Sequence, residues 1–323
     1  MDNIKNSNCI AVVIVIPCFN ESETIDELVK QLEETFEDRD PTRSYKFLLV
    51  DDGSSDNTWE KILRISLQNS RVSGLRLSRN FGHQKALLAG LEYSLEFGDF
   101  IISMDADLQH PVSIAMKMLN QAMHHNYNIV LGKRIEDKHS SAFKRATSKL
   151  FYRVLNYLGA EIAPDVSDFR VMDKQAVSAL VRHGDHTLFT RGIVSLIGFN
   201  QGIYPYRVAE RFAGSSKYTK RKMFKFASEG IISLSVAPLR LTFVLSIFLL
   251  LICLIVLIYI ITSWALGSTV PGWTSISLSI YALFSINFLL IGLQGEYLGK
   301  TYFQTLRRPR YIIQEISNNL YND

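Results

Sequence analysis

The sequence predicts an α/β protein: a mainly parallel sheet covered by helices on both faces, followed by two transmembrane helices. Three observations predict it. Short apolar runs alternate with amphipathic stretches through the first 135 residues. Acidic loops follow three of those runs. No Asp, Glu, Lys or Arg occurs from Leu241 to Gly295.

The apolar runs read as strands at Cys9–Ile16, Tyr45–Val50, Val72–Leu77, Phe100–Met104 and Ile129–Gly132. They are short and largely apolar, as strands buried on both faces are. The first stops at Pro17. It is too short for a signal-peptide core and lacks a small-residue cleavage site after it, so the domain is expected to stay in the cytoplasm. Helices are expected at Glu23–Phe36, Asp56–Leu67, Gln84–Glu96 and Pro111–His124. In the first, Ile25, Leu28, Val29, Leu32 and Phe36 recur at helical spacing. Asp56 can cap the second.

Ligands of such sheets bind at the carboxyl ends of the strands. Three loops there carry acids: Pro17-Cys18-Phe19-Asn20-Glu21, Asp51-Asp52-Gly53-Ser54 and Asp105-Ala106-Asp107. All leave one edge of one sheet, so they can converge. Asp105 and Asp107 can share a divalent cation, which a diphosphate needs to screen its charge. Mg2+ or Mn2+ is the hard cation expected. Asn80-Phe81-Gly82-His83-Gln84-Lys85 opens the third helix, where Lys85 can reach a base or phosphate.

After Gly132 the pattern changes. Phe143–Leu158 is a basic amphipathic stretch, suited to a membrane surface or to the floor of the site. Arg207 to Arg240 carries eight Lys or Arg against Glu210 and Glu229. Leu241–Ile261 is long enough to span a hydrocarbon core of about 30 Å, and Ile276–Gln294 is a second such run. Their connector holds Gly267, Pro271 and Gly272 with Trp264 and Trp273. Lys300, Arg307, Arg308 and Arg310 follow. Positive charge flanks both outer ends and is absent from the connector, which places both ends in the cytoplasm.

The expected division is therefore a cytoplasmic domain, 1–235, and a membrane domain, 236–323. The first would carry juxtamembrane amphipathic helices near 143–158 and 217–235. The second would hold transmembrane helices near 241–262 and 275–296 and a cytoplasmic C-terminal tail. Cys9, Cys18 and Cys253 form no paired framework, and none of the seven histidines has metal-ligand spacing. His83 and His110 fall near the acidic loops but receive no role. The basic residues are assigned to phosphates and lipid, not to nucleic acid.

In order along the chain, Pro17-x-x-Asn20-Glu21, Asp51-Asp52-Gly53-Ser54, Arg79-Asn80-Phe81-Gly82 and Asp105-Ala106-Asp107-Leu108-Gln109 resemble glycosyltransferase family 2, with its Rossmann-like GT-A fold. Ser167-Asp168-Phe169-Arg170, the run Glu210–Tyr218 and the two apolar spans narrow the resemblance. They resemble polyprenyl-phosphate glycosyltransferases of the bactoprenol glucosyltransferase type, over residues 9 to 313.

The resemblance implies a nucleotide site at Pro17, Asn20, Glu21, Asp51, Asp52, Lys85, Asp105 and Ala106. It implies a metal at Asp105, Asp107 and Gln109, phosphate contacts from Arg134, Arg145 and Lys217, and catalytic roles for Asp168, Arg170 and Arg211. Ser167 stands where the family pattern often has Gly. The activity implied is inverting transfer of a hexose, glucose foremost, from a UDP-sugar to undecaprenyl (polyprenyl) phosphate. The product would serve the cell envelope, and the enzyme would sit in the inner membrane as a homo-tetramer. The alternatives are mannosyl transfer from GDP-mannose to dolichyl phosphate, and a non-catalytic membrane protein that binds a lipid carrier. A processive synthase would carry Gln-x-x-Arg-Trp, and none of Trp59, Trp264 and Trp273 follows an Arg.

Overall fold

The structure, a computed structural model, describes residues 9–37, 42–135, 166–183, 193–194, 196–208, scattered positions between 247 and 262, 272–306 and 308–317. Strands and helices alternate through its first half. They are β1 (Ile10–Cys18), α1 (Ile25–Thr35), β2 (Arg43–Asp51), α2 (Thr58–Gln68), β3 (Val72–Leu77), α3 (His83–Ser94), β4 (Phe100–Ser103), α4 (Val112–His125) and β5 (Ile129–Arg134). Each expected strand and helix of this half forms, with its ends shifted by no more than two residues.

Three further strands complete the sheet: β6 (Val166–Asp173), β7 (Gln201–Tyr206) and β8 (Ile313–Ser317). A helix, α5 (Lys174–Arg182), follows β6, and Asp173 caps it by accepting from the Ala176 N–H at 2.8 Å. The sheet order is β7-β5-β6-β4-β1-β2-β3-β8. Its centre, β4-β1-β2-β3, is parallel throughout. β6 enters antiparallel between β4 and β5, and β8 runs antiparallel along β3. This is the GT-A-like, mostly parallel α/β arrangement.

Side chains alternate along β1 and so divide the core in two. Val12, Ile14 and Ile16 pack with Leu28, Leu32 and Leu119 of α1 and α4 on one face. Val13 and Val15 pack with Ala86 and Ala89 of α3 and Val177 of α5 on the other. Each buried Val, Leu or Ile contributes about 1.5–3 kcal/mol. α3 lies close to the sheet at Gly90, where a Cβ would fall 2.4 Å from Val15 Cγ1 and 2.8 Å from Val50 Cγ2.

The chain divides into two compact units. One comprises Met1–Arg153, Glu161–Met223 and Pro309–Asp323, and the other Val154–Ala160 and Phe224–Arg308. The C-terminal segment thus belongs to the unit of the sheet, not to a 236–323 domain as the sequence suggests. The physical reason is the edge of β3, whose main-chain groups β8 satisfies. The Ser78 N–H donates to the Ile312 carbonyl at 2.9 Å, and the Gly74 N–H to Ser317 Oγ at 2.6 Å. Trp59 Nε1 donates to Glu315 Oε2 at 3.1 Å. Arg310 donates to the Val181 carbonyl at 3.0 Å, and Tyr311 donates to the Glu92 carboxylate.

In the second unit α6 (Trp273–Thr305) covers the second expected crossing over 33 residues. Its Ile280, Phe284, Phe288 and Ile291 are exposed. Among the described residues no helix is long and apolar enough to cross a membrane. The expected helices near 143–158 and 217–235 lie outside the described residues, as does most of the expected crossing near 241–262.

Candidate active site

β1 and β2 end side by side, with Cys18 opposite Asp51, so the loops after them start together. Asn20 adopts φ +53°. Its N–H donates to Ser54 Oγ at 2.9 Å, and its Oδ1 accepts from the Ser55 N–H at 2.9 Å. The Glu21 N–H donates to Thr58 Oγ1 at 3.0 Å. These bonds join the two loops. Gly53, at φ +63°, meets the β3–α3 loop so closely that a Cβ would lie 2.4 Å from the Arg79 carbonyl carbon.

Asp52 receives that same loop. Its two oxygens accept from the Phe81 N–H at 2.7 Å and the Gly82 N–H at 2.9 Å. Asp51 Oδ1 accepts from the Ser54 N–H at 3.1 Å, and Oδ2 lies 3.5 Å from Arg76 Nε. Burial pushes both carboxyls above their ordinary value, against the hydrogen bonds that oppose it. The sequence expects Asp51 and Asp52 to line a nucleoside pocket. Both are buried, and what they hold is the loops. Pro17 is also buried, opposite Val50 within the sheet. Asn20, Glu21 and Ser54 are among the partly exposed polar residues at this edge.

β4 delivers Asp105-Ala106-Asp107 beside these loops. Ala106 packs into the core and is 3% exposed. Leu108 adopts φ +60°, a conformation that costs a residue with a side chain about 1–2 kcal/mol. The turn lets Asp107 Oδ1 accept from the Gln109 N–H at 3.1 Å. It also brings His110 under Asp105, where Nδ1 accepts from the Asp105 N–H at 3.1 Å. His110 is fully buried. Its ring lies flat on Phe169, 4.8 Å between centroids at 8°, with Tyr206 edge-on at 5.9 Å. Burial is the main cause lowering its pKa; Asp105 opposes this and Arg134 reinforces it. A terminal nitrogen of Arg134 lies 3.4 Å from His110 Nε2, and Arg134 Nε donates to the Tyr206 hydroxyl at 3.4 Å.

Asp168 and Arg170 arrive on β6, whose Arg170 is opposite Ser103 of β4. Ser103 Oγ donates to the Asp168 carbonyl at 2.6 Å. Two residues apart on a strand, Asp168 and Arg170 share a face. One oxygen of Asp168 accepts from the Arg170 guanidinium, the other from Gln84 Nε2 at 2.9 Å. His83 Nε2 stands 3.4 Å from Asp105 Oδ1 and 3.9 Å from Asp168 Oδ2, so one imidazole faces both carboxylates.

Among the described residues no group of three or more His, Cys, Asp or Glu is arranged to hold a metal ion. Asp105 and Asp107 nevertheless form a pair of hard carboxylate donors on one turn, with the Asp105 side chain 29% exposed. That donor set fits Mg2+ or Mn2+, since Mg2+ binds through one or two carboxylates and takes its other oxygens from substrate phosphates and water. Gln109 is half-buried beside them.

The structure thus brings together Asp105, Asp107, Gln109, Arg134, Asp168 and Arg170. Lys85 lies in the first turn of α3, half-buried, with its N–H donating to the Gly82 carbonyl at 2.9 Å. Arg145, Arg211 and Lys217 lie outside the described residues. Sequence reasoning missed His83, Gln84 and His110. Neither histidine has metal-ligand spacing. The available signal was their adjacency to Gly82 and Gln109, inside motifs already singled out.

The profile described as Glycosyl transferase family 2 matches residues 13–198. The uncharacterized glycosyltransferase YkoT of Bacillus subtilis (strain 168) is 40% identical over 97% of this chain and 93% of its own length. The prophage bactoprenol glucosyl transferase homolog of Escherichia coli (strain K12) is 34% identical over 94% of this chain and 99% of its own. The bactoprenol glucosyl transferase of Shigella phage SfX is 33% identical over 94% and 98%.

Proposed function

The chain belongs to glycosyl transferase family 2, and from that premise we propose that it transfers a hexose, glucose foremost, from a UDP-sugar to polyprenyl phosphate. One observation carries the reading. Asp105, of the diphosphate motif, and Asp168, of the reaction motif, meet at the His83 imidazole. Donor and acceptor ends of one site are then adjacent. The choice of glucose and of a bactoprenol-type acceptor is supported by the names of relatives at 33–34% identity over 94% of the chain.

A lipid phosphate monoester has a second pKa of about 6, so it is mostly dianionic at neutral pH. One of its oxygens attacks the anomeric carbon as the bond to the diphosphate oxygen breaks. UDP leaves with that electron pair, and the anomeric configuration inverts. No proton has to be taken from the acceptor. An Asp168 already bonded to Arg170 and Gln84 suits this chemistry better than a free general base would, because its work is to orient. Arg134 and Arg170, with Arg145, Arg211 and Lys217, offset the repulsion between a dianion and a diphosphate. A Mg2+ or Mn2+ held by Asp105 and Asp107, with Gln109, would screen the diphosphate and stabilise the departing UDP.

The lipid acceptor calls for a membrane. The uncharged run Leu241–Gly295 and the basic stretch before it support two crossings, near 241–262 and 275–296, with the sheet unit in the cytoplasm and the chain in the inner membrane. The test uses the purified full-length protein with Mg2+ or Mn2+, polyprenyl phosphate and a panel of nucleotide sugars. Turnover with UDP-glucose to a glucosyl-phospholipid is the expected result. Turnover with GDP-mannose alone, or nucleotide binding with no turnover on any donor, overturns the proposal.

A further inference from the structure

We propose that His110 is a positioning residue for the donor diphosphate, fixing Asp105 and Arg134 so that both address the same phosphates. The inference rests on the donor reading of this site. Its tautomer is assigned from one hydrogen bond. His110 Nδ1 accepts from the Asp105 N–H at 3.1 Å, so Nδ1 carries no proton. The ring proton is then on Nε2. That nitrogen lies 3.7 Å from Asp105 Oδ2 and 3.4 Å from a terminal nitrogen of Arg134. A protonated Nε2 and a guanidinium are both donors and cannot bond each other. An acceptor placed between them would satisfy both, and the groups of that chemistry are the Asp105 carboxylate, 3.7 Å from Nε2, and the phosphates of the donor.

The ring cannot escape this role by rotating. It is fully buried, lies flat on Phe169, and meets Tyr206 edge-on. Tyr206 in turn bonds Arg134 Nε at 3.4 Å and faces Ser167 Oγ at 3.1 Å. Phe169 sits between Asp168 and Arg170 on β6, so the aromatic stack ties the Asp105 turn to the strand carrying the reaction carboxylate. His110 thus bonds the Asp105 main chain and stands 3.7 Å from its carboxylate, with Arg134 3.4 Å from the same ring nitrogen.

Calorimetric titration with UDP and donor kinetics on the full-length protein test the idea, using His110→Phe, His110→Asn, Arg134→Gln and the combination of His110→Phe with Arg134→Gln. His110→Phe keeps the ring stack but neither nitrogen. It is expected to stay folded with a melting temperature lowered by the one lost hydrogen bond, to weaken UDP by about tenfold and to raise the donor KM more than it lowers kcat. His110→Asn can still accept from the Asp105 N–H and should recover part of that loss. Arg134→Gln should cost much less in the His110→Phe background than alone, because the two act as one unit. Unchanged UDP affinity in His110→Phe, or an equal Arg134→Gln penalty in both backgrounds, overturns the proposal. Should His110→Phe fail to fold, the same cycle on His110→Asn decides by the same Arg134 coupling. A parent protein that binds no UDP sinks the donor reading itself; a parent that binds it, with variants unchanged, sinks only the role of His110.

Discussion

Asp168 and Arg170 are bonded to each other on one face of β6, and only 4% and 1% of their surfaces reach solvent. A charge pair buried this far stands or falls as a unit, since either partner left alone is an uncompensated charge.

Asp168→Asn keeps the size of the side chain and an acceptor for Gln84 but leaves the Arg170 charge uncompensated, so it too should lose stability, by up to about 3–5 kcal/mol. Turnover should fall by about a hundredfold, as expected when a positioned group is displaced. UDP affinity, measured by titration, should stay nearly intact. Equal losses in both would refute a role in the reaction step. Arg170→Ala strands the carboxylate and should destabilise the fold by about 3–5 kcal/mol in chemical denaturation.

Asp51 predicts a pH effect of definite sign. Burial raises its folded pKa above the ordinary value of about 3.9, so the folded state holds this proton more tightly than the unfolded chain does. Its contribution to stability is fully present below that ordinary value and is lost as pH rises through the raised folded value. Asp51→Asn removes that loss. The difference in unfolding free energy between variant and parent should therefore shift in favour of the variant as pH rises through this window, then level off. A difference that does not change with pH counts against the assignment.

Gly53 and Gly198 separate two costs. Both have positive φ, +63° and +71°. An added Cβ at Gly198 meets nothing within 4 Å, whereas at Gly53 it falls 2.4 Å from the Arg79 backbone. Gly198→Ala should cost about 1 kcal/mol, the conformational part alone. Gly53→Ala should cost clearly more in thermal melts and weaken UDP binding, because the β2–α2 and β3–α3 loops must part. Similar melting temperatures for the two variants would contradict the close approach.

Ending the chain at Arg308 removes β8 and the bonds it makes to Trp59, Gly74 and Ser78. At about 1 kcal/mol for each lost hydrogen bond, and with the β3 edge laid open, the melting temperature should drop and association between molecules should increase. UDP binding should weaken too, because Ser78 leads into the loop that Asp52 holds. A truncated protein that melts and sediments like the parent would show β8 to be dispensable.

The parallel half of the sheet was legible from the sequence for a physical reason. Strands buried on both faces must be apolar throughout, and the helices between them must be amphipathic, so both leave local periodic signals. The carboxyl-end rule then placed Asp105 and Asp107 beside the other acidic loops with no contact in view. The same rule placed Asp51 and Asp52 there, but could not say whether their side chains would face a ligand or the loops. Each oxygen of Asp52 is committed to a main-chain N–H, and nothing in the run Asp51-Asp52-Gly53-Ser54 reveals that.

By itself, then, the sequence determined the βα order, the acidic loops at one edge and the uncharged run after Leu241. Tertiary structure alone decided that β6 slips antiparallel between β4 and β5, setting Asp168 beside Gln84 and His83. It alone brought β8 back from the far end of the chain to β3. It alone buried His110 between the Asp105 turn and Arg134. Most of these pairings join residues distant in the chain, and what selects them is the satisfaction of main-chain and buried polar groups. That requirement acts only once the chain is packed, and it leaves no periodicity in the sequence to read.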